Sequence, residues 1–303
     1  MLRFLAIILA SLLLTSVVQA KETVSIIYSF SPADSMANYG RTIADEANQI
    51  QSKYTFVFDT KPGAGSSIAA NYVLNNSNTI LLTSAAFFLR PNLYPKDSHD
   101  LSKFKTLMPV CSAPMAVGST KYKSWKEISK DAQLSIGTSG LGVVSHLTAL
   151  QLTTRYPNIL TVPYKSTSES GLALIGKTID LHVSFLGEME ALNSGKNPVY
   201  VLGTTGSAVV NGQRTLVSQG FPQPLASMNN PHHLTVPTAI SDEKFKEWRE
   251  ILVAAAKKTR VRNAYAVDHC ESLDQMSLDQ AQAWWYYEIA LWRKLSAGVK
   301  LDQ

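Results

Sequence analysis

The strand-forming run Tyr54-Thr-Phe-Val-Phe58 leads into Lys61-Pro-Gly-Ala-Gly-Ser-Ser67, which opens the helix-forming Ile68-Ala-Ala-Asn-Tyr-Val-Leu74. A strand, a glycine turn and a helix in that order build the βαβ unit of a parallel sheet. The turn also has a chemical consequence. Unpaired backbone N–H groups, a positive helix end and two hydroxyls converge there, a combination suited to a carboxylate or phosphate. Glycines let the backbone turn sharply and approach a ligand closely. For one such loop alone an ordinary βα turn remains the commoner outcome, so the rest of the chain has to support a site.

Strand and helix signals alternate on both sides of this unit. Thr23–Tyr28 reads as a strand and Met36–Ile50 as an amphipathic helix with Asp34 or Ser35 as its cap, and Thr79–Thr83 is the next strand. Ligands of such sheets sit beyond the carboxyl ends of the strands, which places Ser29–Ser35, Gly63–Ser67 and Ser84–Ala86 on one edge. A second series begins near Pro109. Ser124-Trp-Lys-Glu127 predicts a capping box and a short helix. Leu134–Gly137 is a strand, Thr138-Ser-Gly-Leu-Gly-Val-Val-Ser-His146 a second glycine loop, and a helix follows to about Tyr156. Strands over Leu160–Pro163, Ile179–Phe185 and Val199–Gly203, with a helix over Glu169–Ile175, complete that half. After Pro237 the chain is helical, with Ser241 capping one helix, Thr259–Val267 a shorter one, and Ser277–Gln280 a capping box for the last. The last helix carries Trp284, Trp285, Tyr287 and Trp292, an aromatic stripe expected to pack against the first half.

The first twenty residues have the character of a secretory signal: Arg3, an apolar run from Phe4 to Leu14, and a small-residue cleavage site ending at Ala20. No cysteine follows it, so no lipid anchor is expected, and no later segment is long and apolar enough to span a bilayer. A periplasmic, soluble mature chain is expected, of a length suited to two lobes or one large α/β domain. The excess of 28 Lys and Arg over 23 Asp and Glu is scattered, without a basic block, which argues against nucleic-acid binding. Cys111 and Cys270 are the two cysteines, and either a disulfide or two buried thiols is open to them.

Two motifs mislead. Gly171-Leu-Ala-Leu-Ile-Gly-Lys-Thr178 matches the Walker A pattern letter for letter. A P-loop needs a strand before it and a helix after it. Here a helix precedes, Gly176 reads as its left-handed cap, a strand follows, and Lys177 should face solvent. Gly137-Thr-Ser-Gly-Leu-Gly142 misses the nucleophile-elbow frame by one residue. An exported hydrolase using Ser139 or Ser145 with His146 is the rival from another class. The six histidines have no metal-ligand spacing, and neither a metal nor a cofactor is expected. His232-His233 reads as structural or exposed, and Asp180 as a turn or salt-bridge residue.

A whole-chain pattern joins these pieces. It runs through Phe30-Ser-Pro, Arg41, Lys61-Pro-Gly-Ala-Gly65, Asn92-Leu-Tyr94, Gly140-x-Gly-x-x-Ser-His-Leu147 and Val162-Pro-Tyr-Lys165, and ends on Trp292 with Leu295 close behind. This order resembles the substrate-binding receptors of tripartite tricarboxylate transporters, the Bug receptors. The resemblance covers essentially the whole mature chain. It implies a type II periplasmic binding protein fold, two α/β sandwich lobes with an interlobe cleft, residues 21–109 and 232–303 forming one lobe and 110–231 the other. It places Cys111 and Cys270 near the hinge and so implies their pairing. It further implies a monomer that captures a small organic acid for membrane permease subunits, a ligand sensor or a receptor for an unrelated solute being the alternative. Carried over by position, the first-lobe contacts are Phe30, Ser31, Ala33, Gly63, Ala64, Gly65 and Ser84. The second-lobe contacts are Thr138, Gly140, Gly142, Ser145, Tyr164 and Ser184.

The chain departs from the family pattern in ways that bear on the ligand. Where the family has a glycine triplet, a polar residue and an aspartate, this chain has Ala33-Asp34-Ser35, then Met36 and Ala37. Asp34 brings a negative charge to an anion-binding loop or caps the helix and uses its donors. Val143 replaces the usual hydroxyl, and Ser184-Phe185 the usual acidic and amide pair. An aromatic acid, or a smaller and less charged one, is the expected ligand.

Overall fold

The computed structural model describes residues 21–193, 197–299 and 301. The signal-peptide expectation, with cleavage after Ala20, lies outside the described residues. The chain first builds β1 (Glu22–Tyr28), α1 (Ser35–Ile50), β2 (Tyr54–Thr60), α2 (Ser67–Asn75), β3 (Thr79–Thr83), α3 (Ala85–Leu93) and β4 (Phe104–Ala113). It continues through β5 (Met115–Ser119), β6 (Leu134–Thr138), α4 (Val144–Leu152), β7 (Ile159–Pro163), α5 (Thr167–Ile175), β8 (Leu181–Phe185), α6 (Leu186–Leu192) and β9 (Tyr200–Thr204). It closes with β10 (Asn230–Pro237), α7 (Asp242–Ala256), α8 (Thr259–Ala266), β11 (Glu271–Ser272) and α9 (Leu278–Ser296).

Two sheets result, in the orders β11-β4-β10-β3-β1-β2 and β7-β6-β8-β5-β9. In the first, β1 runs parallel to β2 and β3, with Tyr28 opposite both Thr60 and Leu82. The loops after all three strands therefore leave the sheet on one edge, as the βαβ pattern requires. β10 returns antiparallel between β3 and β4, so its first residue, Asn230, arrives at that same edge. In the second sheet β6 is parallel to β7 and β8, which brings the loops after Thr138, Pro163 and Phe185 together. The central strands β3 and β8 are buried along their whole length, whereas the edge strand β2 alternates. That contrast is the burial expected of strands covered by helices on both faces.

The chain passes from one sheet to the other at Pro114 and returns through residues 205–229. The two passages lie side by side: Met115 N–H donates to Thr205 Oγ1 at 2.9 Å, and Thr205 N–H to Met115 O at 2.8 Å. Cys111 and Cys270 are joined (S–S 2.08 Å, Cα–Cα 5.5 Å), tying the end of β4 to the segment between α8 and β11.

Several local readings change. Ser124 makes no capping bond, and Trp125–Glu127 is a single 3-10 turn. Burial of Trp125 against Tyr156 and Phe221 decides that segment, not the cap. Gly176 is right-handed and Lys177 takes the left-handed conformation instead, with φ 57°, while remaining exposed. The aromatic stripe splits. Trp285 and Trp292 are buried, Trp285 against Phe87, Phe88 and His233, but Trp284 and Tyr287 pair on the outer side, where Tyr287 is exposed. Residues 285 and 292 lie two helical turns apart on one face, and 284 and 287 share another. The Ser277–Gln280 capping box is present.

Candidate functional site

The glycine loop of the first lobe is held by its neighbours. Gly63 has φ +121°, a region open to glycine, and Ala64, Gly65 and Ser66 follow with φ of 47°, 51° and 78°. Lys61 N–H donates to Tyr28 O at 2.8 Å, and Ser66 Oγ donates to Ser29 Oγ at 2.9 Å. Ser67 Oγ lies 3.0 Å from His99 Nδ1. Both hydroxyls of the loop are buried and engaged inside the lobe, so the expectation that they face a ligand is corrected. Gly63, Ala64 and Gly65 are the loop residues that line the cleft, with Pro62 beside them.

The second glycine loop is similarly braced. Ser139 N–H donates to Ser145 Oγ at 3.1 Å, and the two hydroxyls lie 2.9 Å apart. His146 Nδ1 accepts the Gly142 N–H at 3.2 Å, and burial lowers its pKa. His146 thus serves the turn and has no hydrogen bond to either serine among the described contacts. The serine–histidine arrangement a hydrolase needs is missing from this geometry.

Between the lobes lie two connected spaces. An outer groove of about 650 Å³ is lined by Ser31, Pro62–Gly65, Arg90 and Tyr94 from the first lobe and by Ser139–Leu141, Tyr164, Lys165 and Glu169 from the second. Below it a small pocket of about 50 Å³ is walled by Tyr28, Phe30, Asp34, Ser84, Met115, Val143, Val144, Thr167, Phe185 and Asn230. Phe30, Ser31, Ser139, Val143, Lys165 and Ser166 border both. Arg90, stacked 3.7 Å over the Tyr94 ring, lines the groove with Glu169, and exposed Lys165 borders both spaces. Neither cation has a carboxylate partner among the described salt bridges.

One carboxylate, Asp34, lines the pocket together with Lys165. Asp34 stands at the N-cap position of α1 yet its side chain makes no capping bond, which corrects the expectation of a cap. Its Oδ2 accepts from Tyr28 OH at 3.5 Å, and its Oδ1 is sealed from solvent with no donor in hydrogen-bond geometry. The α1 N-terminus is approached instead by Glu188 of α6, which accepts from the Ser35 backbone and from the Ser184 and Thr167 hydroxyls. Asp268, just after α8, accepts from Ser35 Oγ. Burial first, then the charge of Glu188, pushes Asp34 up to about 7, against a partial offset from Tyr28 and the Ser31 backbone. Asp268 is likewise raised to about 7, chiefly by burial. A carboxyl whose folded pKa is raised opposes folding increasingly as pH climbs from the unfolded value to the folded one. Asp34→Asn is therefore expected to be more stable than the parent by roughly 4 kcal/mol above pH 7. The gain should fall below about 1 kcal/mol near pH 4, where Asp34 is protonated in the folded chain and about half protonated in the unfolded one. Urea unfolding at pH 8 and pH 4 measures this, and an equal difference at both pH values would contradict it.

The residues carried over from the resemblance divide into three groups. Phe30, Ser31 and Ser84 line the inner pocket, Ser84 also capping α3 by accepting the Ala86 N–H. Gly63, Ala64, Gly65, Gly140 and Tyr164 line the groove. Ala33, Thr138, Gly142, Ser145 and Ser184 border neither space. Ala33 N–H is occupied by Ser31 Oγ at 3.2 Å, and Ser184 donates to Glu188. Gly142 faces the other lobe, where a side-chain carbon would meet Tyr94 and Leu93. Ser139, Lys165 and Phe185, which lie in the singled-out motifs but outside the contact set, also line the site, as do Asn230 and Met115, which no local sequence signal marks. His232 and His233 are fully buried and structural, His232 Nδ1 lying 3.0 Å from Thr83 O.

Two α/β lobes joined by paired crossing segments, with a cleft between opposed glycine loops, define a solute-binding receptor. The model of the tripartite tricarboxylate transporter family receptor matches residues 39–220, and the chain belongs to that family. No curated protein matches by sequence. Among solved structures, periplasmic binding protein BugD superposes with a TM-score of 0.78 at 20% identity, covering 91% of this chain and 96% of that one. An R. palustris protein with adipate gives 0.80 at 19% identity, with 92% and 97% covered. MatC from Rhodopseudomonas palustris with bound malate gives 0.74 at 18% identity, with 90% and 98% covered. At these identities the likeness concerns the fold.

Proposed function

We propose that the protein captures a small organic acid in the periplasm and delivers it to the permease subunits of a tripartite transporter, without catalysing a reaction. Residues 21–109 with 232–303 form one lobe and 110–231 the other, a division supported by the passages between the two sheets at Pro114 and over residues 205–229. The signal segment is removed after Ala20 and the mature chain acts as a monomer. One observation carries the reading: Gly63, Ala64 and Gly65 of the first glycine loop line a single groove with Arg90 and, from the other lobe, Lys165. Amide donors and cations converging on one space attract a carboxylate. The adipate and malate held by two proteins of the same fold support that choice.

A ligand that binds only the folded, closed form stabilises it by about 2.7 kcal/mol at a hundred times its Kd. For lobes of this size that is a rise in Tm of roughly 5–10 °C. Thermal unfolding against a panel of mono- and dicarboxylic acids tests this. A chain shifted by neutral solutes and by no acid would overturn the organic-acid reading while leaving the fold intact.

A further inference from the structure

The two lobes meet along a seam where α6 of the second lies against residues 267–269 of the first. Gly187 approaches so closely that a side-chain carbon on it would overlap Val267 O. Two contacts cross beside it. Glu188 accepts the Ser35 backbone N–H at the start of α1, and His269 Nε2 lies 2.7 Å from Glu190. Ser35 serves both lobes, because its hydroxyl donates to Asp268 of its own. Asp34, next to Ser35, takes bonds from Tyr28 OH and the Ser31 backbone.

The seam thus gathers three carboxyls, one of them from the opposite lobe. No described salt bridge joins Asp34, Glu188 or Asp268 to a lysine or arginine. Lys165 lines the inner pocket with Asp34 but is exposed to solvent. Tyr28, whose pKa burial raises, faces Asp34 as a neutral donor. All three carboxyls are shifted toward their protonated forms. Burial is the first cause, and the Glu188 charge adds to it at Asp34 and Asp268. The hydroxyl and backbone donors, with His269 at Asp268, offset only part of this. Asp34 and Asp268 thereby reach about 7. The other crossing pair responds to pH in the same sense. Asn211 Nδ2 donates to Glu190 Oε1 at 2.8 Å, and the Glu190–His269 contact is an ion pair only while the imidazole is protonated.

We infer that this seam is a proton-dependent latch: the contact between the lobes forms with uptake of a proton among Asp34, Glu188 and Asp268, so that acidification holds the lobes together and a rise in pH releases them. A carboxyl whose pKa is higher with the lobes in contact than apart takes up a proton as they meet. The contact is then strongest at low pH and weakens as pH climbs from the ordinary carboxyl value of about 4 to about 7. The latch acts whatever solute lies between the lobes, and so goes beyond the organic-acid reading.

Hydrogen exchange of the ligand-free protein at pH 5 and pH 8 tests it through the Ser35 amide, whose acceptor lies across the seam. Corrected for the intrinsic effect of pH on exchange, its protection should fall at least tenfold from pH 5 to pH 8, the factor for one pKa unit. The amides of β3, inside the first lobe, should keep theirs. In Glu188→Gln, which retains an acceptor and removes the charge that crosses the seam, the fall should be at least threefold smaller. Equal protection of Ser35 at both pH values, whether the seam holds or stands open throughout, would overturn the latch. So would a fall shared by β3, which reports loosening of the whole chain, or one unchanged in Glu188→Gln. None of these results touches the organic-acid reading, which the acid panel tests separately. The comparison on the parent protein is decisive even if the variant does not fold.

Discussion

Replacing Cys111 and Cys270 together by alanine should lower the free energy of unfolding by about 5 kcal/mol, the chain-entropy value for a loop of this size. The two cysteines are 159 residues apart in sequence, so the bond closes the whole second lobe into the loop. Without it, the unfolded chain gains the freedom that the bond removes. The local consequence adds to the global one. Cys270 closely follows Asp268, bonded by Ser35, and His269, whose Nε2 lies 2.7 Å from Glu190 of α6. The bond therefore anchors the segment on which the second lobe rests. Urea unfolding of the parent and the double variant, each at neutral pH, gives the difference. A loss below about 1 kcal/mol, far under the chain-entropy value, would show that the tether contributes little to the folded state.

Gly187→Ala should abolish the closed arrangement while leaving each lobe folded. A side-chain carbon on Gly187 would overlap Val267 O and lie 2.9 Å from Asp268 Cα. Both neighbours are backbone, so no rotamer change relieves the clash. Gly187 belongs to α6 in the second lobe, and Val267 and Asp268 to the first, so the contact is between lobes. Within α6 alone the change favours helix by about 0.5–1 kcal/mol. The local and interlobe effects thus have opposite signs and can be told apart. If the variant populates the closed form about a hundredfold less, its apparent affinity falls by the same factor. Small-angle scattering should show an expanded envelope, and calorimetry a Kd raised about a hundredfold. Unchanged affinity would mean that the contact of α6 with Val267 and Asp268 is not needed for ligand binding.

The glycine loops are legible in the sequence because their chemistry is local. Gly63 at φ +121° is demanded by a turn between β2 and α2, and the residues that build the turn are consecutive. The Walker-like run fails on the same ground, since the order of helix and strand around Gly176 is itself local. Side-chain roles are less accessible. Ser66 and Ser67 have the look of ligand hydroxyls, yet Ser29 and His99 claim them inside the lobe. Asp34 has the look of a cap, but Glu188 from the other lobe approaches that helix end, leaving Asp34 in the pocket. Asn230 carries no local signal at all. It reaches the site because β10 runs back between β3 and β4, where its Oδ1 accepts the Ala85 N–H across 145 residues of sequence.

The alternation of strands and helices, the two glycine turns and the family all follow from the amino-acid sequence alone, since backbone preference and hydrophobic period act over a few residues. Which carboxylates meet is settled by tertiary structure. Ser35 and Asp268 are 233 positions apart, and Asp34, Glu188 and Asp268 come from three segments on two lobes. Burial and mutual repulsion then raise the pKa of Asp34, effects that arise from segments far apart in sequence.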